Sequence, residues 1–327
     1  MTAPAYTDIR DALFEELFEL AIKDRSIMLL SGDQGAFSIK KFQDSIPDQY
    51  INVGVAEQNM ISVAAGLAMS NHKVIVYGII PFATIRCLEQ IKVDLCAHNL
   101  PVTIAGVGAG YAYATDGPTH HAVHDMALMR VMPGMQVWNP SDHTMIASIV
   151  PRLVNNPGPK YIRLDKGAFP DLYADSGDDF LNGLTVLREG KDIMIVATGI
   201  MVHRALEVAE TLSRTGIETG VTDLYRIKPF DEGVLLRAMG NSRHVATLEE
   251  NSVVGGIGTV VSEVMAEAGA GIPVRRFGVA DAFRWDLGGR DPLQERDGLD
   301  TVSLIKNLTS WNNRRTSDGA KDGALSK

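Results

Sequence analysis

The sequence has almost no cysteine and no long apolar run. Its 327 residues include two cysteines, Cys87 and Cys96, which is too few for a disulfide framework or a Cys-rich zinc site. The longest apolar runs, such as VIVYGIIPFA, have the length of a strand and fall far short of the ~20 residues that a membrane helix needs. The N-terminal stretch MTAPAYTDIRDALFEEL is polar and acidic, unlike a secretion signal. These absences predict a cytoplasmic protein without a membrane span.

Positive charge is also in short supply. The chain has 31 Lys and Arg against 40 Asp and Glu, which gives a formal net charge of −9. Proteins that neutralise a nucleic-acid backbone, and polybasic membrane anchors, have the opposite balance. We therefore expect neither a nucleic-acid partner nor a membrane partner. Apolar residues, by contrast, make up 45% of the chain, and its length allows two domains with separate cores.

Short apolar runs alternate with helix-like stretches along most of the chain, a pattern typical of parallel α/β architecture. A polar stretch rich in Asp and Gly interrupts the alternation, which then starts again. The pattern predicts two doubly wound α/β domains. The predicted segments are a first domain over 1–170, a linker over 171–183, a second domain over 184–308 and a flexible polar tail over 309–327.

One acid stands in an otherwise apolar and small-residue stretch, NVGVAEQNMISVAAGLAMS. This residue, Glu57, falls in the first turn of a predicted helix. An acid there is favoured by the helix dipole, so Glu57 has an ordinary structural interpretation. The alternative is a carboxylate placed for chemistry. Spacing alone leaves both interpretations open.

A second feature is the loop GVGAGYAYATDGPTHHAVHDM, which follows the predicted strand PVTIAGV. Ligands bind in such loops beyond strand ends in α/β folds. The loop brings His120, His121 and His124 close together in sequence, but without HExxH spacing and with only Asp125 as an acid in the next turn. A metal site, general acid–base catalysis and a solvated His-rich loop are the three interpretations of this cluster.

Five segments in this order resemble the C-terminal half of transketolase: NVGVAEQNM, YGIIPFATIRCLEQIKVDLC, DGPTHHAVHDMALMRVMPGMQVWNPSD, YIRLDKG and VATLEENSVVGGIG. The resemblance extends to deoxyxylulose-phosphate synthase and, more distantly, to the beta subunit of 2-oxoacid dehydrogenases. It covers residues from about 8 to 308. It implies a pyrimidine-binding fold followed by a transketolase C-terminal-like domain, with thiamine diphosphate as the cofactor.

The resemblance also implies roles for individual residues. Glu57 matches the glutamate that bonds N1′ of the cofactor's pyrimidine ring, and Phe82 matches the aromatic residue that stacks on that ring. Asp116 and His120 match a pair in the substrate channel, where the imidazole donates to a developing alkoxide and the carboxylate bonds a substrate hydroxyl. The implied catalytic residues are therefore Glu57, Asp116 and His120.

The loop before the DG pair departs from the family. Transketolases place basic residues there to hold a sugar phosphate, whereas GVGAGYAYAT has none. Arg163 and Lys166 match another basic position, and we expect Arg163 to bind a substrate anion bidentately. Tyr111 and Tyr113 instead suggest a channel for a nonphosphorylated or nucleotide-linked sugar.

The resemblance covers only one half of a complete transketolase. The family's diphosphate-binding half carries a GDG…N motif for a divalent metal, and GDQG with the later Asn52 departs from it at Gln34. We therefore expect no metal on this chain. The implied partner is a separate N-terminal subunit that holds Mg²⁺ or Ca²⁺ and the diphosphate. The implied assembly is a heterotetramer with two copies of each subunit, and this chain alone is expected to be inactive.

The expected reaction is transfer of a two-carbon ketol unit, or a related acyl carbanion equivalent, from a sugar or 2-oxoacid donor to an aldehyde. One alternative is the beta subunit of a 2-oxoacid dehydrogenase, against which DGPTHH argues. Another is a noncatalytic subunit of the same fold. The presence of Glu57, Phe82, Asp116 and His120 argues against that alternative.

Overall fold

The computed structural model describes residues 8–35, 39–173, 179–286 and 288–322, with side chains as far as Asn313. The strands are β1 (Ile27–Ser31), β2 (Tyr50–Asn52), β3 (Lys73–Ile79), β4 (Val102–Val107), β5 (Gln136–Trp138), β6 (Lys160–Leu164), β7 (Thr185–Arg188), β8 (Ile193–Ala197), β9 (Thr219–Asp223), β10 (Arg226–Lys228), β11 (His244–Ser252) and β12 (Val274–Val279). The helices are α1 (Ile9–Ala21), α2 (Ile39–Ser45), α3 (Glu57–Met69), α4 (Ile80–Ala83), α5 (Leu88–Gln90), α6 (Asp125–Val131), α7 (Ile146–Asn155), α8 (Met201–Arg214), α9 (Glu232–Gly240), α10 (Ile257–Glu267), α11 (Arg290–Arg296) and α12 (Thr301–Asp322). A π-helical turn, Ile91–Cys96, follows α5.

The strands form two sheets. The first has the order β10-β5-β6-β4-β3-β1-β2, and the second has the order β12-β11-β8-β9-β7. Only β10 in the first sheet and β7 in the second run antiparallel to their neighbours. The mixed, mainly parallel sheets confirm the predicted α/β fold class.

Side chains that alternate along the strands of the first sheet pack into two separate cores, one on each face. Val74 and Val76 of β3 pack with α3, whereas Ile75 and Tyr77 pack with α1 and α7. Both faces of the sheet are therefore covered by helices, which explains why its central strands β1, β3 and β4 are mainly apolar. The second sheet is built in the same way, with α8 on one face and α9 and α10 on the other.

Two elements do not follow the segment boundaries predicted from the sequence. Strand β10 lies beyond residue 184 but pairs with β5 of the first sheet, so the second domain contributes the edge strand of the first. Helix α12 continues past residue 309, into the stretch predicted as a flexible tail. There the Trp311 ring lies 4.6 Å from the His244 ring and 4.8 Å from the Arg275 guanidinium carbon, and the polar composition gives no sign of this packing. Residues 323–327 of that tail lie outside the described residues.

The parallel strands of the first sheet end at a common edge. The segments that follow β2, β3 and β4 there carry Glu57, Phe82, Asp116 and His120, whereas Arg163 lies within β6. Across the described ranges, no helix is both long enough and apolar enough to span a bilayer.

A candidate active site at the carboxyl edge of the first sheet

Glu57 is the first residue of α3, and its side chain is only 2% exposed. The carboxylate lies against the end of β1, where a Cβ added at Gly32 would come within 3.6 Å of the Glu57 Cγ. Its Oε2 accepts a hydrogen bond of 2.9 Å from Nη1 of Arg86. Nothing in the sequence pattern predicts this ion pair. The buried acid is thus paired with a guanidinium, and its surroundings are not purely apolar.

Arg86 contacts two of the expected cofactor residues at once. Besides its bond to Glu57, its guanidinium carbon lies 4.4 Å from the centroid of the Phe82 ring. Phe82 belongs to α4, the short helix that follows β3. The loop after β1 is fastened at the same place, because Gln34 Oε1 accepts a 2.8 Å hydrogen bond from the Ile79 backbone amide. The only sequence signal for Arg86 is a cation four residues after Phe82.

The segment Gly108–His124, here called the substrate loop, carries Asp116 and His120. The His120 ring lies edge-on to the Phe82 ring, with 5.0 Å between centroids, and 6.1 Å from the Tyr113 ring. Its Nδ1 is 2.9 Å from the Thr119 hydroxyl. The Asp116 side chain is exposed at the end of a 3₁₀ turn in the same loop. The structure therefore brings Glu57, Phe82 and His120 together beside an open loop carboxylate.

The other two histidines line the same open depression but contact different aromatic rings. His121 is 5% exposed, with its ring 5.0 Å from that of Tyr111, and burial lowers its pKa. The His124 ring lies 6.1 Å from the Phe283 ring, at an open depression of about 730 Å³ that also includes Phe82. Within the described part of the chain, no group of three or more His, Cys, Asp and Glu side chains is arranged to hold a metal ion.

Arg163 does not occupy the position expected of an anion-binding residue. Its side chain is only 4% exposed, and its Nε donates to Asp125 Oδ2 at 2.8 Å. Its Nη2 donates to the backbone oxygens of Ala122 and Glu250, at 2.6 and 3.1 Å. This correction has a simple cause, since Arg163 is an interior residue of β6 and its guanidinium ties the substrate loop to β11. The Arg163 guanidinium is thus buried and bonded within the chain, not exposed at the site.

Lys166 is the exposed cation after β6. Its Nζ lies 4.8 Å from the centroid of the Tyr113 ring, which itself neighbours His120. Tyr111, which the sequence placed in the channel, is 1% exposed, and its hydroxyl donates to Asp297 at 2.7 Å. Of the two tyrosines, only Tyr113 lies at the site.

The residues that imitate a metal motif bond each other. The Asp33 backbone amide donates to Asn52 Oδ1 at 3.0 Å, and Asn52 Nδ2 donates to Asp33 Oδ1 at 3.1 Å. These bonds close the loop after β1 onto the end of β2. They give Asp33 and Asn52 a structural role at this edge.

The observed arrangement fits one end of thiamine diphosphate. An aminopyrimidine needs a hydrogen-bonding carboxylate and an apolar flat surface, and Glu57 and Phe82 offer these within reach of one guanidinium. No comparable group of donors for a diphosphate is present among these site residues.

Comparison with known proteins also indicates a thiamine diphosphate enzyme of the transketolase type. The model of the transketolase pyrimidine-binding domain matches residues 5–171, and that of the transketolase C-terminal domain matches residues 183–300. The chain belongs to the transketolase family. A subunit of a 6-deoxy-6-sulfo-D-fructose transketolase from a Clostridium species is 36% identical over 91% of this chain and 92% of the relative. A subunit of an apulose-4-phosphate transketolase from Phocaeicola vulgatus is 36% identical over 83% of this chain and 87% of the relative.

One similar solved structure belongs to a transketolase that is encoded by split genes. It is described as a split-gene transketolase in an inactive beta4 tetramer, and it is 36% identical with a TM-score of 0.82, over 94% of this chain and 98% of that one. The 1-deoxy-D-xylulose-5-phosphate synthase of Pelotomaculum thermopropionicum is 32% identical, but the match covers only 47% of it. The chain thus corresponds to the C-terminal subunit of a split, thiamine diphosphate-dependent transketolase-like enzyme.

Proposed function

We propose that this subunit, together with a separate N-terminal subunit, transfers a two-carbon ketol unit from a ketose to an aldehyde. The observation that carries the proposal is the grouping of Glu57, Phe82 and His120 at one sheet edge of a pyrimidine-binding domain. The two competing functions lack such support. The comparisons name transketolase subunits, and a noncatalytic subunit has no need of a buried acid beside an aromatic ring.

Each residue has a distinct task in this proposal. Glu57 holds the pyrimidine of the cofactor through its carboxylate, and Phe82 packs against the ring. When bound, thiamine diphosphate supplies the nucleophilic carbon that attacks the donor carbonyl and the ring system that accepts the resulting electrons. His120 donates a proton or hydrogen bond to the substrate oxygen that gains charge, and Asp116 bonds a substrate hydroxyl.

We further propose that the sugar carries an anionic group and that Lys166 binds it. The two relatives act on 6-deoxy-6-sulfo-D-fructose and apulose-4-phosphate, whose names give one a sulfo group and the other a phosphate. Lys166 is exposed beside Tyr113, whereas Arg163 is buried and bonded to Asp125 and Ala122. Lys166 therefore replaces Arg163 as the proposed anion-binding residue.

The N-terminal partner would hold the diphosphate and its Mg²⁺ or Ca²⁺, in a heterotetramer with two copies of each subunit. This proposal is supported by the split-gene relatives and by the poor match of GDQG to the metal motif. A cytoplasmic location stays a prediction from the sequence.

A glutamate substitution tests the proposal. The complex with the co-purified partner would be assayed with hydroxypyruvate, which yields a two-carbon ketol unit on loss of CO₂, and an aldehyde acceptor. We expect Glu57→Gln to lower kcat by about 10³-fold or more while the complex still assembles, because the cofactor loses its carboxylate partner. Glu19→Gln is the control, since Glu19 is exposed on α1. Equal activity of both variants would refute the proposed role of Glu57.

A further inference from the structure

Tyr111 fastens the substrate loop to two carboxylates of the second domain, in addition to the links that Arg163 and Val123 make between the loop and β11. The Tyr111 backbone amide donates to Glu250 Oε2 at 3.2 Å, and its hydroxyl donates to Asp297 Oδ2 at 2.7 Å. Glu250 belongs to β11, and Asp297 directly follows α11. Both ends of a tyrosine in the first domain are therefore bonded to carboxylates of the second.

The two carboxylates are themselves fixed. Arg290 donates from Nε to Glu250 Oε1 at 3.1 Å, and it forms a bidentate pair with Asp165 through bonds of 2.7 and 2.6 Å. The Glu250 side chain is 2% exposed and Asp297 is fully buried, with a further ion pair from Arg284. A buried ion-pair network of this kind holds its members in one geometry, because a change would leave a charge unpaired.

The Glu250 carboxylate packs directly against the backbone of the substrate loop at Gly110. Gly110 has a φ of +57°, and a Cβ added there would lie 1.9 Å from Glu250 Oε2. Gly110 and Ala122 exchange two backbone hydrogen bonds of 3.0 and 2.9 Å, which close the base of the loop. Tyr111 starts the closed part and His121 ends it, with their rings 5.0 Å apart. His120 therefore directly adjoins the residue that packs on Tyr111.

We propose that the second domain fixes the position of His120 through Tyr111, so that Tyr111 is a positioning residue for the transfer reaction. The anchoring follows from the contacts alone, whereas the role of His120 rests on the proposed function. The described polar and ring contacts of Tyr111 are with Glu250, Asp297 and His121, so its proposed effect on His120 passes through the loop.

The anchoring is tested in the full chain by hydrogen exchange of the loop amides, which needs no turnover. Tyr111→Phe keeps the ring against His121 and removes only the hydroxyl, with its bond to Asp297 and its interaction with Arg284. We expect about tenfold faster exchange between residues 112 and 121, as for the loss of one buried hydrogen bond. Tyr173→Phe is the matched control, because the buried Tyr173 donates to the buried Asp223 at 2.9 Å, outside the loop. Unchanged exchange in Tyr111→Phe would overturn the inference, whatever the activity.

The positioning role is tested by a double-mutant cycle in the assembled complex, with hydroxypyruvate as the donor. Tyr111→Phe should lower kcat about tenfold with little change in KM, and this effect should vanish in a His120→Asn background. The same loss of kcat in both backgrounds would show that Tyr111 does not act through His120. If wild-type complex shows no turnover but Tyr111→Phe loosens the loop, the proposed function fails and the anchoring stands.

Discussion

At Glu57 a carboxylate that is 2% exposed is neutralised by a guanidinium that is 45% exposed. The acid has given up most of its hydration, whereas the base has not. Arg86 can thus hold the Glu57 carboxylate in one orientation without being buried itself. Its position over Phe82 adds a cation–π contact on the same group.

Arg86→Met tests this ion pair. Methionine keeps a long side chain over Phe82 but leaves the Glu57 carboxylate without its cation. We expect the free energy of unfolding in urea to fall by about 1 kcal/mol, and a double-mutant cycle with Glu57→Gln to recover most of this as coupling.

Arg214→Met is the control for that variant, since Arg214 and Glu210 form a pair in which both side chains are more than half exposed. Such a pair contributes about 0.5 kcal/mol or less. Equal losses in the two variants would mean that the burial of Glu57 gives its ion pair no additional strength.

Several site residues could be predicted from the sequence because they occur in contiguous motifs. Glu57, Phe82, Asp116 and His120 each stand in a short segment that resembles the family, and the structure places them at one edge. Arg163 and Tyr111 were assigned to the substrate, but both are buried and bonded. A motif gives the residue and its place along the chain, whereas the direction of a side chain depends on what packs beside it.

At the scale of secondary structure, Gly110 lies in a turn at the start of the substrate loop that has no room for a side chain. Gly110→Ala combines a left-handed φ of +57° with a clash against Glu250. We expect urea denaturation to show a loss of about 3 kcal/mol, of which backbone strain accounts for about 1–2 kcal/mol.

Gly269→Ala separates strain from crowding, because Gly269 has a φ of +64° and open space around its Cβ position. Its expected loss is about 1 kcal/mol, from strain alone. If Gly110→Ala cost no more than Gly269→Ala, the close approach of Glu250 would be contradicted.

Glu249 binds the first turn of helix α10, and its contribution to stability depends on pH. Its carboxylate accepts 2.9 Å hydrogen bonds from the backbone amides of Ile257 and Gly258. Burial raises its pKa from 4.5 to about 7, against the lowering effect of those two bonds. Because the folded pKa lies above the unfolded one, its contribution to stability is fully present below about pH 4.5 and is lost as the pH rises through about 7.

Glu249→Gln should therefore change the pH dependence of folding. Between pH 5 and 8, the free energy of unfolding of wild type minus that of the variant should fall by an amount on the order of 3 kcal/mol. Urea denaturation at a series of pH values measures this difference, with Glu19→Gln as the control. A flat difference across that range would contradict the raised pKa.

Strands such as β1 and β4 could be predicted from short apolar runs, and long helices such as α1 could be predicted from helical spacing. Strand β4 lies within the predicted strand PVTIAGV, and Glu57 stands in the first turn of α3 as predicted. Strand β10 has only three residues, so it leaves no periodic signal, and its pairing with β5 depends on the packing of the two domains. Likewise, α12 continues past residue 309, where Trp311 packs on His244. The polar composition of this stretch does not reveal that contact.

At the scale of the whole molecule, the second domain supports the site physically. It supplies the edge strand of the first sheet and the carboxylates that hold the substrate loop. In the proposed function, the described site residues provide the pyrimidine end of a cofactor site. The other end would have to come from another polypeptide, which is the central claim of the proposed function.

Calorimetry with thiamine diphosphate and Mg²⁺ tests that claim most directly. The cofactor would be titrated into this chain alone, into the co-purified partner alone and into their mixture. We expect tight, saturable binding only in the mixture, and its loss when the mixture contains Glu57→Gln. Tight binding by this chain alone would contradict the split site, because a complete diphosphate site would then be present on one subunit.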